Sequence, residues 1–311
     1  MDREEAAKEL MAMLEEGKDG PYYSEEEVRA HLEELLHPKN QVYMTGDTHG
    51  QFERVIEFCR PREVELENTF IILGDAGLNY YGDRRDRKKK EQLAQVPITF
   101  FCLHGNHEMR PTAALGYELS EYHGGKVLVQ PEYPNILFAI DGEVYDFNGN
   151  SCIVIGGAYS VDKYYRLARG WNWFSDEQPS EEIKAKVERV LAERNWKIDI
   201  VLSHTGPLKY EPTEVFLPMV DQSTVDKSTE EWLGEIEAKL DYERWYFAHY
   251  HTEKEIDKIR IMHNDYAMIP REPSIAAEKE MIRRMHRQAE IVQALRLLDD
   301  GASESEGADT L

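Results

Sequence analysis

From residue 41 onward the chain is punctuated by short apolar runs that end in Gly-Asp or Gly-Asn: Val42 to Thr45, Phe70 to Leu73, and Ile98 to Leu103. Short β-branched and aromatic runs bounded by turn residues predict strands. The helical or loop stretches between them predict a strand-helix-strand order. A second group follows without long helices between its members: Ile136 to Ile140, Glu143 to Phe147 and Ser151 to Ile155. Asp141-Gly142 joins the first pair and Asn148-Gly149-Asn150 the second, which is tight-turn chemistry and predicts two hairpins. Helices are predicted over 181–195 and 229–240, the latter opened by Ser228 and Glu231 at capping-box spacing. Strands return at Ile198 to Leu202 and Trp245 to Phe247. Mixed βαβ units plus hairpins predict two sheets covered by helices.

The two ends read differently. Ser24 and Glu27 have capping-box spacing, and Val28, Leu32, Leu35 and Leu36 recur at helical intervals behind them. Gly17, Gly20 and Pro21 separate this helix from an earlier one carrying Ala6, Leu10 and Leu14, and Pro38 ends the segment. At the other end, residues 275–298 predict an amphipathic helix with Ile275, Ile282, Met285, Ile291, Leu295 and Leu298 on its apolar face. The tail from Asp299 to Leu311 is Gly, Ser, Ala and acid, a composition that predicts disorder.

Charge narrows the partners. The 311 residues carry 37 basic and 60 acidic side chains, a formal net charge of −23. That balance argues against broad nucleic-acid binding, which needs a basic surface, and against an anionic membrane. No run of about 18 apolar residues is present to span a bilayer, and the early acids and missing apolar core of MDREEAAKEL argue against a signal peptide. Cys59, Cys102 and Cys152 are widely spaced and odd in number, which fits free thiols in a reducing cytoplasm. Residues 1–37 hold 12 acids against 4 basic residues, so much of the acidity belongs to an appendage. It leaves room for a small phosphorylated substrate elsewhere.

Five segments each follow a predicted strand: Gly46-Asp47-Thr48-His49-Gly50, Gly74-Asp75-Ala76-Gly77, Gly105-Asn106-His107-Glu108, Ser203-His204-Thr205-Gly206-Pro207 and Ala248-His249-Tyr250-His251. Their polar residues therefore collect at strand C-termini, the edge of an α/β sheet where binding sites form. Asp47 and His49 stand two apart in extended chain, as do His249 and His251, so each pair leaves on one side. Mixed oxygen and imidazole donors suit Mn, Fe, Co, Ni or Zn better than Ca or Mg alone. The donors are too many for one tetrahedral ion, and one carboxylate bridging two ions makes the count work.

These segments resemble the calcineurin-like metallophosphoesterase superfamily, whose pattern runs D-x-H, G-D, G-N-H-E/D, H and G-H-x-H in this order; the likeness covers roughly residues 41 to 265. The resemblance implies a four-layer αββα sandwich of two mixed β-sheets flanked by helices, to which the patterns at the two ends add helical N- and C-terminal extensions. Together they divide the chain into an acidic helical extension (1–38), a catalytic domain (39–266) and a C-terminal amphipathic helix with its acidic tail (267–311). The resemblance implies one metal held by Asp47, His49, Asp75 and His251 and a second by Asp75, Asn106, His204 and His249, with manganese expected and Fe, Zn, Co or Ni as alternatives. His107 matches the family's catalytic histidine. The implied reaction is in-line attack of a metal-bridging hydroxide on a phosphomonoester or phosphodiester.

The chain departs from the serine/threonine phosphoprotein phosphatase branch, which carries G-D-x-V-D-R-G. Here the segment reads Gly74-Asp75-Ala76-Gly77-Leu78-Asn79-Tyr80, without that Arg and second Asp. The reading therefore leans to a small or nucleotide-like substrate over a phosphoprotein, with a nuclease as a further alternative. A non-catalytic metal-binding scaffold is the alternative from another class, and the terminal helices read as an element docking a protein partner or a second copy, or as a solvated cover. Arg110 is a candidate phosphate contact. Arg84 and Arg85, in the basic run 84–90, belong to a solvated helix face or to a phosphate-gathering rim. His104 reads as packing or as a cleft residue. His31, His37, His263 and His286 read as structural or exposed. Tyr80, Tyr81, Tyr159, Tyr164, Tyr165, Trp171, Trp173 and Phe174 read as a pocket wall or as core.

Overall fold

The computed structural model of the protein describes residues 40–269, apart from 63, 217 and 219. The helices expected within 1–38 and over 275–298, and the acidic tail, lie outside the described residues. Within them the chain runs through β1 (Val42–Thr45), α1 (Glu53–Cys59), β2 (Thr69–Ile72), α2 (Arg84–Ala94), β3 (Thr99–Cys102), β4 (Glu118–Tyr122), β5 (Gly125–Val129) and β6 (Ile136–Ala139). It continues through β7 (Val144–Phe147), β8 (Asn150–Ile155), α3 (Lys163–Ala168), α4 (Glu181–Glu193), β9 (Ile200–Ser203), α5 (Ser228–Glu237) and β10 (Arg244–Phe247). It closes with β11 (Lys254–Ile256), β12 (Ile259–Ile261) and β13 (Ala267–Ile269).

The strands form two mixed sheets, seven strands in the order β13-β1-β2-β3-β6-β5-β4 and six in the order β11-β12-β10-β9-β8-β7. β1, β2, β3 and β6 are parallel neighbours, as are β8, β9, β10 and β12. Alternation along each strand explains the layering. Val42 and Met44 of β1 point between the sheets, with Leu73, Phe101, Leu202 and Tyr246. Tyr43 points the other way, into a cluster with Val55 and Phe58 of α1 and Leu93 of α2. On the far side, Trp245 and Phe247 pack against Val187 and Leu191 of α4 and Leu233 and Ile236 of α5. Helix, sheet, sheet and helix give four layers. The three cysteines are free and buried. Among the described residues no helix is long and apolar enough to cross a membrane.

Two local expectations need correction. Asp141-Gly142 does not close a hairpin, because β6 lies in the seven-stranded sheet and β7 in the six-stranded one. The turn carries the chain between sheets instead. Gly142 N–H donates to Val154 O, and the Ile140 N–H goes to the Tyr145 hydroxyl rather than across a ladder. Nor does Ser228 cap α5: the helix has no side-chain cap from its own N-cap residue, and Asp226 Oδ1 accepts from Ser228 N. The hairpin β4–β5 was not anticipated. Its turn is His123-Gly124 with φ +48° and +81°, left-handed at both positions as a type I′ turn requires.

Candidate metal centre

The parallel strands of both sheets release their C-terminal residues toward one place. β1 delivers Asp47 and His49, β2 delivers Asp75, and β3 delivers Asn106 and His107. From the other sheet β9 delivers His204, and β10 delivers His249 and His251. The backbone turns sharply there. His49, Asp75, His249 and His251 have φ of +48°, +48°, +66° and +50°, a region that side-chain-bearing residues rarely occupy and that costs about 1–3 kcal/mol each. Two glycines make the close approach feasible. A Cβ on Gly74 would overlap the His204 ring, and one on Gly105 would overlap Asp75.

The donors fall into two groups around Asp75. In the first, His49 Nε2 lies 3.0 Å from His251 Nε2 and 3.8 Å from Asp47 Oδ2, while His251 Nε2 lies 3.0 Å from the same oxygen. His49 Nε2 is also 4.0 Å from Asp75 Oδ2. In the second, His204 Nε2 and His249 Nδ1 converge on Asn106 Oδ1 at 2.8 and 3.1 Å, and His204 Nε2 is 3.7 Å from Asp75 Oδ2. Asp75 thus stands between the groups. His107 N–H donates to Asp75 Oδ1 at 2.7 Å and helps hold that carboxylate in place.

A layer of hydrogen bonds fixes how these donors point. His204 Nδ1 is 2.8 Å from Leu73 O. A carbonyl only accepts, so Nδ1 carries the proton and Nε2 presents its lone pair inward, the usual arrangement behind a metal-binding imidazole. Asn106 Nδ2 donates to Ser160 Oγ at 2.9 Å, which turns Oδ1 toward the two imidazoles. Ser160 Oγ donates to Glu177 Oε2 at 2.6 Å and accepts a second hydrogen bond from Arg166 Nη1 at 3.1 Å. One donated and two accepted bonds saturate the hydroxyl.

The electrostatics ask for a cation. Asp47 and Asp75 are almost wholly buried, and among the described residues only imidazoles stand as their ionic partners. Buried carboxylates without a compensating charge are costly. Burial pushes Asp47 up, but the His251 hydrogen bond and the His204 and His49 charges hold it well below the usual carboxylate range. Asp75 is likewise lowered against burial, by His204 and His107. Burial, then the charge of His204, takes His249 down to about 3, so it offers a free lone pair at neutral pH. Hydrogen bonding to Asp47 raises His251. Imidazoles, two ionised carboxylates and an amide oxygen converging on each other fit divalent metal ions of the Mn-to-Zn series.

Other candidates are placed less centrally. Arg110 donates to Asp141 Oδ2 and to Asp176 O, so its guanidinium braces the β6–β7 crossover. His104 is buried, and burial together with Arg110 holds it well below the ordinary histidine value. Arg84 is exposed on α2, while Arg85, one residue on, lines a cavity of about 560 Å³ that also reaches His49 and His107. Tyr80, Tyr81 and Trp171 line that cavity, whereas Tyr159 is buried. Motif spacing missed several neighbours. Asp162 Oδ1 lies 3.7 Å from His107 Nε2 and 3.7 Å from Arg166 Nη1. His263 stacks on His251, centroids 5.0 Å apart. Only the aromatic density of residues 159–174 hinted that this stretch met the site.

A comparison with family models agrees with the strand-end pattern. A family model described as calcineurin-like phosphoesterase matches residues 41–253. No curated protein sequence matches the chain. Among solved structures, TT1561 of Thermus thermophilus is similar at 10% identity, with a TM-score of 0.42 over 75% of this chain and 100% of that one. AQ665 of Aquifex aeolicus, a protein of unknown function, is similar at 14% identity, with a TM-score of 0.29 over 55% of this chain and 81% of that one.

Proposed function

The chain belongs to the calcineurin-like phosphoesterase family, metal-dependent hydrolases of phosphoesters, and we propose that it cleaves a small or nucleotide-like phosphoester at the centre where β1, β2, β3, β9 and β10 end. The observation that carries this reading is the convergence of seven lone-pair donors on one strand edge, with two buried carboxylates and no Lys or Arg paired with them among the described residues. One ion would be held by Asp47, His49, Asp75 and His251, and a second by Asp75, Asn106, His204 and His249, with manganese the proposed metal. Bound there, divalent ions supply positive charge that lowers the pKa of water and offsets the charge of the phosphate.

The remaining work falls to the chain's own residues. Asp75 and Asn106 set the spacing between the two donor groups, and the Ser160 hydroxyl keeps the amide oxygen inward. His107 stands beside the cavity with its ring 5.3 Å from that of His49. Burial lowers its pKa against the pull of Asp75, with Arg166 adding to the decrease. A phosphate arriving next to it raises its proton affinity, and His107 Nε2 then delivers the proton to the leaving oxygen. Asp162, 3.7 Å from that nitrogen, steadies the charged ring. The substrate is read as small because the cavity has the volume of a small-molecule site.

The test is turnover of p-nitrophenyl phosphate and its bis ester by the purified chain, with Mn²⁺ and after chelation. Metal-dependent release of p-nitrophenol is expected. No turnover with Mn²⁺, Fe²⁺, Co²⁺, Ni²⁺ or Zn²⁺ overturns the proposal in favour of a metal-binding scaffold.

A further inference from the structure

The cavity beside His107 is larger than the scissile phosphate needs and differs in charge from the rest of the molecule. At about 560 Å³ it can hold a small organic molecule. Arg85, Lys89 and Arg166 line it against a single carboxylate, Asp162, in a chain of net charge −23. Arg85 and Lys89 are four apart on α2 and so share one face.

The three cations are not equally engaged. Arg166 is buried and bonded to Ser160, with Asp162 nearby. Arg85 is shared with Asp83, at 2.8 Å, and stands in the first turn of α2, where its charge adds to the positive end of the helix dipole. Among the described residues the hydrogen bonds of Lys89 Nζ go to the carbonyls of His49 and Gly77, at 3.5 and 3.3 Å. No carboxylate lies within 4.0 Å of it among the described residues. It is a half-buried ammonium in no close ion pair; burial lowers its pKa, opposed by the more distant charges of Asp86 and Glu108.

Flat apolar surface completes the pocket. Tyr81 lies under the Arg85 guanidinium at 3.6 Å and within 5.7 Å of Lys89 Nζ. Across from α2, Trp171 leaves half of its surface uncovered, 51%. An indole held edge-on by Tyr165 (centroids 5.7 Å apart), with the Arg169 guanidinium 5.7 Å over its ring and half its surface still exposed in the lining of a cationic cavity, suits stacking by a planar group.

We propose that this cavity is a subsite for a second phosphate, held by Lys89 and Arg85, and for a planar group stacked on Trp171. The compound hydrolysed is then an organic phosphate bearing an aromatic ring system and a further phosphate beyond the one placed at His49 and His107. This rests on the phosphoesterase reading for the position of the scissile group.

The test uses the Mn²⁺-loaded full chain and two non-hydrolysable adenosine phosphonates, one with a single phosphonate and one with a methylene-bridged pair, titrated by calorimetry at low salt. The paired phosphonate is expected to bind at least about tenfold more tightly, an advantage that shrinks with added salt. Lys89→Ala/Arg85→Ala should bring the ratio of the two affinities close to one. Trp171→Ala should weaken both ligands by roughly fivefold or more. Equal affinities in the unmodified protein, or a ratio that survives the double substitution, overturns the subsite. Because binding is read without turnover, a chain inactive on p-nitrophenyl phosphate and its bis ester with all five metals that still prefers the paired phosphonate refutes the hydrolase reading and keeps the subsite.

Discussion

Ser160→Ala tests how the centre is held together, because the hydroxyl touches no predicted metal ligand except through Asn106 Nδ2. Its loss removes the 2.9 Å bond that orients the amide, the 2.6 Å bond to Glu177 and the 3.1 Å bond from Arg166. Asn106 is then free to turn its NH2 toward His204 and His249, where an oxygen is wanted. Loss of such a supporting partner typically costs 10–100-fold in metal affinity, which is about 1.4–2.7 kcal/mol. The polar atoms left behind should also reduce folding stability by about 1–3 kcal/mol. Mn²⁺ titration calorimetry should show one of two sites weakened, the one containing Asn106, His204 and His249. The site containing Asp47, His49 and His251 should keep its affinity, because none of its donors contacts Ser160. Urea unfolding of the metal-free protein reads the stability loss separately. Two sites of unchanged affinity would refute the claim that Ser160 sets the amide.

Three other outcomes follow from the same geometry. His107→Ala should retain bound metal, measured by atomic absorption, while kcat falls roughly 10²–10⁴-fold; an unchanged kcat removes its role as proton donor. Gly74→Ala combines φ +94° with a collision against the His204 ring, and should cost about 2–4 kcal/mol in urea unfolding together with lost metal content. Burial raises Glu230 to about 7, opposed by its 2.8 Å bond from Thr205. The folded state then holds a proton that the unfolded carboxyl releases near 4.5. The contribution is complete below pH 4.5 and is lost as pH rises through about 7, a change of about 3 kcal/mol. Glu230→Gln should flatten the fall in melting temperature between pH 5 and 8, and an unaltered slope argues that Glu230 is ionised throughout.

The donors were legible because three local signals coincide at each: an apolar run short enough for a buried strand, a small residue before or after it, and an Asp, Asn or His in between. The strand β1, bounded in the structure as expected from Val42 to Thr45, shows how far such signals reach. They stop where a local pattern serves two topologies. Asp141-Gly142 suits a hairpin and a sheet-to-sheet bend equally well, and only the partners of β6 and β7 decide. They stop again at residues 159–177, where Ser160, Asp162, Arg166 and Glu177 follow no motif spacing. Those side chains meet Asn106 and His107 through the packing of distant elements, which no periodicity encodes. Arg110 shows another limit: its place three residues past His107 gives no hint that Nη1 pairs with Asp141, distant in the chain.

Neither sheet owns the centre. The seven-stranded sheet brings Asp47, His49, Asp75 and Asn106, the six-stranded sheet brings His204, His249 and His251, and what lies between is the packed apolar layer of Met44, Leu73, Phe101, Leu202 and Tyr246. The site is therefore a caliper whose jaws are set by that layer. A metal ion tolerates errors of a few tenths of an ångström in its ligands, and interiors transmit even one methylene of misfit. Conservative changes deep between the sheets should then surface as altered metal affinity well before the protein unfolds. In folding, the centre can assemble only after the two halves have met, so metal capture serves as a late reporter of their union.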